Sequence, residues 1–593
     1  MRASGLKPPV VILDDAAEER LRIFVAPKAV IAAEHRSEIV PALAAIESAR
    51  RAGNFVAGYF SYELGYGLEA RLAPLLPAER AVPLLWFGIF DAPRDLAGQA
   101  AAAALEAGRA YAGPLEPEWD EAAYSARFAR VKALLAAGDI YQANLSFRAR
   151  FAFLGEPLGL YARLRQASAA RYGAYIADGA RHILSLSPEL FFDLAADGSI
   201  TTKPMKGTAA RGDSPHADVL ARESLKESTK DRAENLMIVD LLRNDLSRIA
   251  EPGSVAVPSL FAVETYPTLH QMVSTVTAKL PPATRVEALL RALFPCGSIT
   301  GAPKIRAMEV LAELEQSPRG VYCGAIGCFA PDGSARFNVA IRTLTIAGGQ
   351  GELGIGGGVV QDSEAASEYA EALLKARYFT AGRIPLELIE TLRWSRAEGF
   401  ARGDLHLARM ARSAKALGLC FDAARARDVL DEATFALALP EQDPRAHRLR
   451  LTLDEAGEIA CTTAPLGAAK DLWRCIFSPE RLHSSDALAR HKTNWRDLYE
   501  REWARLCPPY DEVLFHNEGG DVVECSRTNI FVERDGLLLT PPLSAGALDG
   551  VLRQALIAEG RCHEATLLPD DLASGFYLGN SLRGLIKATL SES

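Results

Sequence analysis

Between Asp231 and Ile249 apolar side chains return at helical spacing, at Val239, Leu242, Leu246 and Ile249, which predicts a helix. Glu234 and Asp245 stand eleven residues apart, almost three turns, so they share one face of it. A second helix is predicted from Asp362 to Lys375. It opens on capping residues and aligns Glu364, Glu368, Glu371 and Lys375 at i, i+4, i+7 and i+11. Elsewhere the pattern shortens. His182-Ile-Leu-Ser-Leu186 and Phe337-Asn-Val-Ala-Ile-Arg-Thr-Leu-Thr-Ile346 read as strands. Ala81 to Phe90 is an apolar run of ten residues containing proline, half of what a membrane-spanning helix needs, and predicts a buried strand. The alanine-rich patch Ala100–Ala112 predicts a surface helix. Helices and strands alternate from about residue 120 to 378, which predicts a large α/β or α+β body.

Ala381-Gly-Arg-Ile-Pro385 is turn-like punctuation, and a new periodic segment starts after it. The expected regions are therefore 1–115, 116–380 and 386–593, the last dividing softly near Leu506-Cys-Pro-Pro-Tyr510. With 593 residues, 49% hydrophobic and 24% charged, the chain has the composition of soluble globular protein with room for large cores. A formal charge of −9 argues against a nucleic-acid partner. The N-terminal stretch carries no long apolar core of the signal-peptide kind, and no span suits a membrane. Nine scattered cysteines form no C-x-x-C pair, so a disulfide framework or structural zinc is not expected. The composition reads as reduced and cytoplasmic.

Two lysines carry the chemistry: Lys206 in Thr201-Thr-Lys-Pro-Met-Lys-Gly-Thr208 and Lys492 in Arg490-His-Lys-Thr-Asn-Trp-Arg496. A primary amine attacks electrophilic carbon or forms an imine once its surroundings depress its usual pKa of roughly 10.4. Carboxylates on two separate helices, Glu234 against Glu368 and Glu371, can jointly hold Mg²⁺. On spacing alone, a solvated helix face is the commoner meaning of such glutamates. The triplet Gly356-Gly-Gly358 lacks the strand, G-x-G-x-x-G and helix order of a dinucleotide loop, which discounts NAD.

Six strings occur in one order over roughly 220 residues: Gly138-Asp-Ile-Tyr-Gln-Ala-Asn-Leu-Ser146, Ser187-Pro-Glu-Leu-Phe191, Pro204-Met-Lys-Gly-Thr208, Ala233-Glu-Asn with Asp240-Leu-Leu-Arg-Asn-Asp-Leu246, Pro295-Cys-Gly-Ser-Ile-Thr-Gly-Ala-Pro-Lys304 and Gly356-Gly-Gly-Val-Val360. Residues 1–378 resemble the chorismate-utilising enzymes, among them anthranilate synthase, aminodeoxychorismate synthase component I, and the isochorismate and salicylate synthases. The resemblance implies an anthranilate-synthase-like chorismate-binding fold. It implies that Glu234 and Glu371 ligate Mg²⁺ with Glu368 in support, and that Tyr322, Arg342, Gly356, Gly357 and Gly358 hold the carboxylates of chorismate. Thr300 and Lys304 lie in the match, Thr300 on the substrate side. Water-adding members carry a lysine where Gln142 stands, and a glutamine cannot deprotonate water. Anthranilate synthases carry a small residue where Lys206 stands, so the likeness is to the para pathway. By that resemblance Lys206 adds to C2 of chorismate as the C4 hydroxyl leaves with a proton from Glu189, and ammonia then attacks C4 and displaces the lysine. A purely electrostatic Lys206, neutralising a carboxylate, stays open. The chain has no G-x-C-x-G glutaminase elbow, so a separate glutamine amidotransferase subunit is implied as the source of ammonia.

From 386 onward, Glu387-Leu-Ile-Glu-Thr-Leu-Arg393, His406-Leu-Ala-Arg-Met-Ala-Arg-Ser-Ala414, His491-Lys-Thr-Asn-Trp-Arg496, Val523-Glu-Cys-Ser-Arg-Thr-Asn-Ile-Phe531 and Leu548-Asp-Gly-Val-Leu-Arg553 resemble fold-type IV pyridoxal phosphate enzymes of the D-amino-acid aminotransferase kind, most of all aminodeoxychorismate lyase. The resemblance implies that Lys492 carries the cofactor and then acts as base, and that Glu524 keeps the pyridine nitrogen protonated. Arg409, the Val551 and Leu552 amides and Ser581 would receive the phosphate. A homodimer through this half is compatible with the likeness. A single threonine after the lysine replaces the more usual pair and leaves the substrate less defined than the cofactor. Together the two likenesses imply amination of chorismate followed by pyruvate elimination to 4-aminobenzoate, in the folate pathway. The alternative they leave is anthranilate synthase component I fused to a branched-chain or D-amino-acid transaminase.

Overall fold

The computed structural model describes residues 6–265, 269–282, 284–380, 383–438, 445–468 and 470–591. Its chain forms two compact units. The first comprises Met1–Ala107, Leu115–Phe151 and Glu156–Gly382; the second comprises Gly108–Pro114, Ala152–Gly155 and Arg383–Ser593. The expected segment 386–593 is therefore not the whole of the second unit, and part of the expected junction, Ala381 and Gly382, lies outside the described residues.

In the first unit one sheet contains β1 (Gln142–Gly155), whose last four residues belong to the second unit, and the other ends on β2 (Met205–Ala210). Neighbouring strands pair antiparallel, as where Val10 faces both Ala177 and Val25, so the body is α+β in character. Phenylalanines from four adjacent strands of the second sheet meet in its core. Phe60 lies 4.6 Å from Phe87 and 5.5 Å from Phe337, and Phe329 lies 4.7 Å from Phe337, centroid to centroid. Packing of this density holds the sheet edges that carry the chemistry.

The helix α1 (Thr229–Ser247) begins where the Ser228 hydroxyl accepts the amide of Asp231, and it ends two residues before the expected Ile249. The apolar string 337–346 is not one strand. Ala335–Val339 joins one sheet and Thr343–Ala347 the other, the chain turning between them at Arg342, whose φ is +49°. From there β3 (Gln350–Val359) leads to α2 (Ala365–Lys375), with Glu364 at its N-cap.

The second unit opens on β4 (Leu388–Ser395), α3 (Gly403–Leu417) and β5 (His447–Leu453). Strands β4 and β5 pair so that Thr391 faces Arg450. After Pro465 the chain enters another sheet at Leu472, where parallel and antiparallel pairs mix. The expected soft division at 506–510 instead falls inside that sheet, between Leu472–Leu482 and its partner Glu512–Asn517. Helix α4 (Val551–Ala558) packs beneath it.

The alanine-rich patch departs from expectation. Its helix stops at Ala104, and Ala110–Ala112 is a strand paired with Phe153–Gly155. Tyr111, fully buried, belongs to the apolar core of the second unit with Leu386, Leu388 and Leu417. Burying a tyrosine is worth more than alanine's small helix preference.

Candidate functional site

Lys206 stands on β2 at a β-bulge. Met205 faces Val273 and Thr208 faces Gln271, so one extra residue is accommodated on the Lys206 side. Gly207 takes φ +84°, and a Cβ there would meet Asp231 at 2.8 Å, so only glycine fits the turn that aims the lysine. Gln271 fixes the bulge by donating to the Gly207 carbonyl at 2.7 Å. Burial lowers the Lys206 pKa, with the nearby Lys375 charge adding to it while Glu234, Glu189 and Glu371 oppose it. The amine is thereby brought toward its nucleophilic, neutral form.

Glu189 follows the strand His182–Ser187 and is 4% exposed. Burial pushes its carboxyl up to about 7, and its Oε1 has no hydrogen-bond partner among the described residues. Near neutral pH about half of it keeps a proton that an ordinary glutamate would have lost.

The three glycines of β3 leave room for this group. A Cβ at Gly358 would lie 2.5 Å from Gln142 Nε2 and 3.2 Å from Lys206 Nζ. One at Gly357 would lie 3.3 Å from both Glu368 Oε2 and Lys375 Nζ, and one at Gly356 would strike the Leu145 carbonyl and Ser146. The Ser146 hydroxyl stands 3.5 Å from the hydroxyl of buried Tyr322. Lys375 donates to the Gly356 carbonyl at 3.0 Å and pairs with Glu371, also at 3.0 Å. Burial raises the pKa of Glu234, with Glu368 among the charges acting on it. For Glu371 burial also pushes upward, but the cations of Lys375, Lys230 and Lys206 together lower it. Glu234, Glu368 and Glu371 thus share one electrostatic neighbourhood with Lys206. Among the described residues, however, no three His, Cys, Asp or Glu side chains gather closely enough to hold a metal by themselves.

Thr300, Lys304 and Arg342 also make contacts within the fold. The Thr300 hydroxyl is turned inward to the carbonyls of Cys296 and Gly297, closing a short turn. Lys304 is committed to a buried ion pair with Asp245 and to the Leu293 carbonyl. Arg342 makes the sheet-to-sheet corner, and its charge acts on half-buried Tyr378.

In the second unit Lys492 donates to the Thr391 hydroxyl at 2.8 Å. Burial, reinforced by the cations of Arg409, Arg496 and Arg450 against the pull of Glu390, lowers its pKa to about 7. The lysine segment is strapped to β4: Ile389 donates to the Lys492 carbonyl at 2.8 Å, and Asn494 donates its amide to Glu387 and receives one from it. Glu524 is buried, accepting the Tyr499 hydroxyl at 2.7 Å and the Leu548 amide at 2.8 Å, and burial raises its pKa. Glu390 grips Arg409 in a two-toothed ion pair of 2.8 and 2.6 Å and also meets His406 Nδ1 at 2.6 Å. His406 Nε2 reaches the Ser581 hydroxyl at 2.9 Å. Burial would raise Glu390, yet Arg409 and His406 hold it at about 2. The free face of Arg409 donates to the Asp549 carbonyl just before α4, where the Val551 and Leu552 amides lie in the first turn without intrahelical partners. A Cβ at Gly550 would meet Asn529 at 1.9 Å, so the loop sits hard against its support.

Glu390, Thr391, His406, Tyr499 and Lys375 were not assigned roles from sequence. The first three lie inside quoted motifs, and an acidic residue within an apolar strand such as Leu388-Ile-Glu390 was the available signal.

The chain belongs to the chorismate binding enzymes, whose family model matches residues 8–381. The amino-transferase class IV model matches residues 387–590. Aminodeoxychorismate synthase component 1 of Klebsiella aerogenes is 48% identical over 252 residues, which are 42% of this chain and 56% of that relative. Anthranilate synthase component 1 of Streptomyces coelicolor is 38% identical over 310 residues, 52% of this chain and 58% of that one. The chain thus spans little more than half the length of these curated relatives. The crystal structure of anthranilate synthase component I from Streptococcus pneumoniae superposes with a TM-score of 0.52 at 23% identity, covering 63% of this chain and 93% of that one, which defines the fold of the first unit. Among the described residues no helix is long and apolar enough to cross a membrane.

Proposed function

We propose that the chain makes 4-aminobenzoate, a precursor of folate, in two reactions: amination of chorismate to 4-amino-4-deoxychorismate in the first unit, and elimination of pyruvate in the second. The observation that carries this reading is the pairing of Lys206, with its depressed pKa, and Glu189, whose pKa of about 7 leaves a large share of it protonated at neutral pH. A nucleophile and an acid so poised suit displacement of a hydroxyl: Lys206 Nζ forms the bond at C2 while Glu189 protonates the departing oxygen. The greater identity to aminodeoxychorismate synthase than to anthranilate synthase supports the para product. Glu234 and Glu371, with Glu368 behind them, would hold Mg²⁺ once substrate oxygens and water complete the shell, since that ion keeps several non-protein ligands. It would supply fixed positive charge at the substrate carboxylate. Tyr322, Arg342 and the Gly356–Gly358 backbone would bind the carboxylates, with Thr300 shaping the wall.

In the second unit the residues fit pyridoxal phosphate: Arg409, the α4 amides and Ser581 for its phosphate, Glu524 for its ring nitrogen and Lys492 for its aldehyde. Bound there, the group would supply an electron sink. Lys492, with a pKa of about 7 and so substantially neutral at physiological pH, would then remove the proton at C4 of the aminated ring, and aromatisation would accompany loss of pyruvate. Ammonia would come from a separate glutamine amidotransferase subunit, and the second unit would pair two copies of the chain. The unpaired cysteines suit a reducing cytoplasm. The class IV amino-transferase match favours one other reading of the second unit, transamination of an amino acid. A single experiment separates these: the purified chain with chorismate, ammonium, Mg²⁺ and pyridoxal phosphate, products resolved by chromatography. 4-Aminobenzoate with equimolar pyruvate is expected. The ortho isomer, or aminodeoxychorismate that persists while amino acids are transaminated, refutes the reading.

A further inference from the structure

Ser146, Arg148 and Arg150 point to one face of β1, and Gly356, Gly354 and Glu352 to the same face of β3, where Arg148 reaches Glu352 at 3.0 Å. Tyr322 divides that face. A Cβ at Gly354 would meet its ring at 2.2 Å, so the ring takes the place of a side chain there. On one side lie Ser146 and Gly356, the proposed substrate wall. On the other opens a cavity of about 470 Å³, the size of a small-molecule site.

The cavity is rich in cations. Arg80, Arg148, Arg150 and Arg319 line it, against Glu79 and Glu352. Arg319 is already occupied, gripped by Glu315 at 2.6 and 2.7 Å. The other three are not fully matched. Arg80 donates from both Nη groups to the carbonyls of Pro77 and Glu34, has no carboxylate partner among the described residues, and keeps a buried, bare Nε. Arg148 Nε is bare likewise, and the Arg150 side chain is 57% exposed and 3.8 Å from Glu352. A buried N–H without an acceptor carries a cost that an arriving oxygen removes. Val82, Pro318 and Ala347 give the cavity an apolar floor.

We propose that this cavity is a second ligand site of the first unit, taking a small aromatic carboxylate whose anion meets Arg80, Arg148 and Arg150 and whose ring lies on the apolar floor. A guanidinium fork matches a carboxylate, and the floor favours a ring over a bare phosphate. The site acts on the first reaction, a step that rests on the proposed binding of chorismate beside Tyr322. Glu352 stands four residues from Gly356, roughly 13 Å along the strand. A carboxylate held there cancels the positive field of the arginines and adds like charge toward a dianionic substrate. At an effective dielectric constant of about 20 this weakens chorismate by about fivefold. Arg148, Pro318 and Arg319 also line the narrow crevice that reaches Ser146 and Tyr322, so the two spaces share a wall.

The test uses the full chain with benzoate, its neutral isostere benzamide, and inorganic phosphate. Two variants address the cavity without touching the residues that handle chorismate: Ala347→Trp fills it, and Arg150→Met removes a cation from an exposed position. Both should melt with the wild type. Calorimetric titration of the wild type should show benzoate binding, with benzamide at least about tenfold weaker for want of a charge-assisted bond, and phosphate weaker than benzoate. Each variant should weaken benzoate by about tenfold or more. In steady-state amination benzoate should raise the KM for chorismate about fivefold in the wild type and less than about twofold in Ala347→Trp. Equal inhibition of both proteins overturns the proposal and places benzoate in the chorismate site itself. A wild type that binds no benzoate, or binds benzamide or phosphate as tightly, overturns it too. If the chain aminates no chorismate at all, the reading of the first reaction fails, and the titrations still decide on the cavity.

Discussion

Glu189→Gln tests the first reaction at its most constrained point. The Glu189 carboxyl titrates at about 7 in the fold against an ordinary 4.5. At 1.36 kcal/mol per pKa unit, ionising it inside the protein costs about 3 kcal/mol more than in the unfolded chain. The native state keeps a proton the unfolded chain releases. Wild-type stability therefore falls as pH climbs from 4.5 to about 7, with the penalty complete above that. Glutamine is the permanent image of the protonated acid. The variant should match wild type in urea melts at pH 4.5 and exceed it by up to about 3 kcal/mol at pH 8. It also loses the proton donor, so formation of the Lys206 adduct should slow by about 10²–10⁴-fold. Followed by intact mass without ammonium, the wild-type rate should show an alkaline limb near pH 7, and the variant's residual rate should lack it. A variant that keeps more than about a tenth of the rate, or that keeps the limb, would refute the acid role.

Lys206→Ala should abolish 4-aminobenzoate formation from chorismate while supplied aminodeoxychorismate is still converted; amination above about a tenth of wild type reduces the lysine to an electrostatic part. Glu234→Gln and Glu371→Gln should each weaken the response of amination to Mg²⁺ without altering the visible absorbance of the second unit, and an unchanged Mg²⁺ titration removes that residue from the ligand set. Lys492→Ala should lose the visible absorbance of lysine-linked cofactor and accumulate aminodeoxychorismate, which full-length Lys206→Ala protein should then convert. If it also stops chorismate consumption while folded, the two reactions are coupled.

The helices around Glu234 and Glu371 were legible because apolar spacing and capping residues act locally, and both lie within two or three residues of their expected bounds. Lys206 and Lys492 could be singled out by their motifs. What set their titration could not, since burial and the charges of Lys375 or Arg409 arrive from distant segments. Thr300 and Lys304 show the converse. They sit in a strongly matching string, yet their polar atoms are engaged in holding the turn and the Asp245 pair, which motif identity does not distinguish from ligand contact. The patch at Ala100–Ala112 misread because one tyrosine, Tyr111, answers to a core assembled from residues almost three hundred positions later.

That tyrosine has a consequence for how the chain comes into being. Gly108–Pro114 and Ala152–Gly155 are parts of the second unit, with Arg109 paired to Asp486 and Tyr111 edge-on to Trp495 at 5.9 Å. A ribosome finishes these two short stretches long before the sheet that receives them exists. The two strands can pair with each other, but Tyr111 must wait for its core until residues beyond 386 emerge. Cutting the gene at the junction would not yield two self-sufficient products, because a fragment starting at 386 would be born with the place of Tyr111 vacant, a defect worth roughly 3–5 kcal/mol by the cost of deleting a buried aromatic. The order of segments in the gene is thus held in place by folding as well as by chemistry.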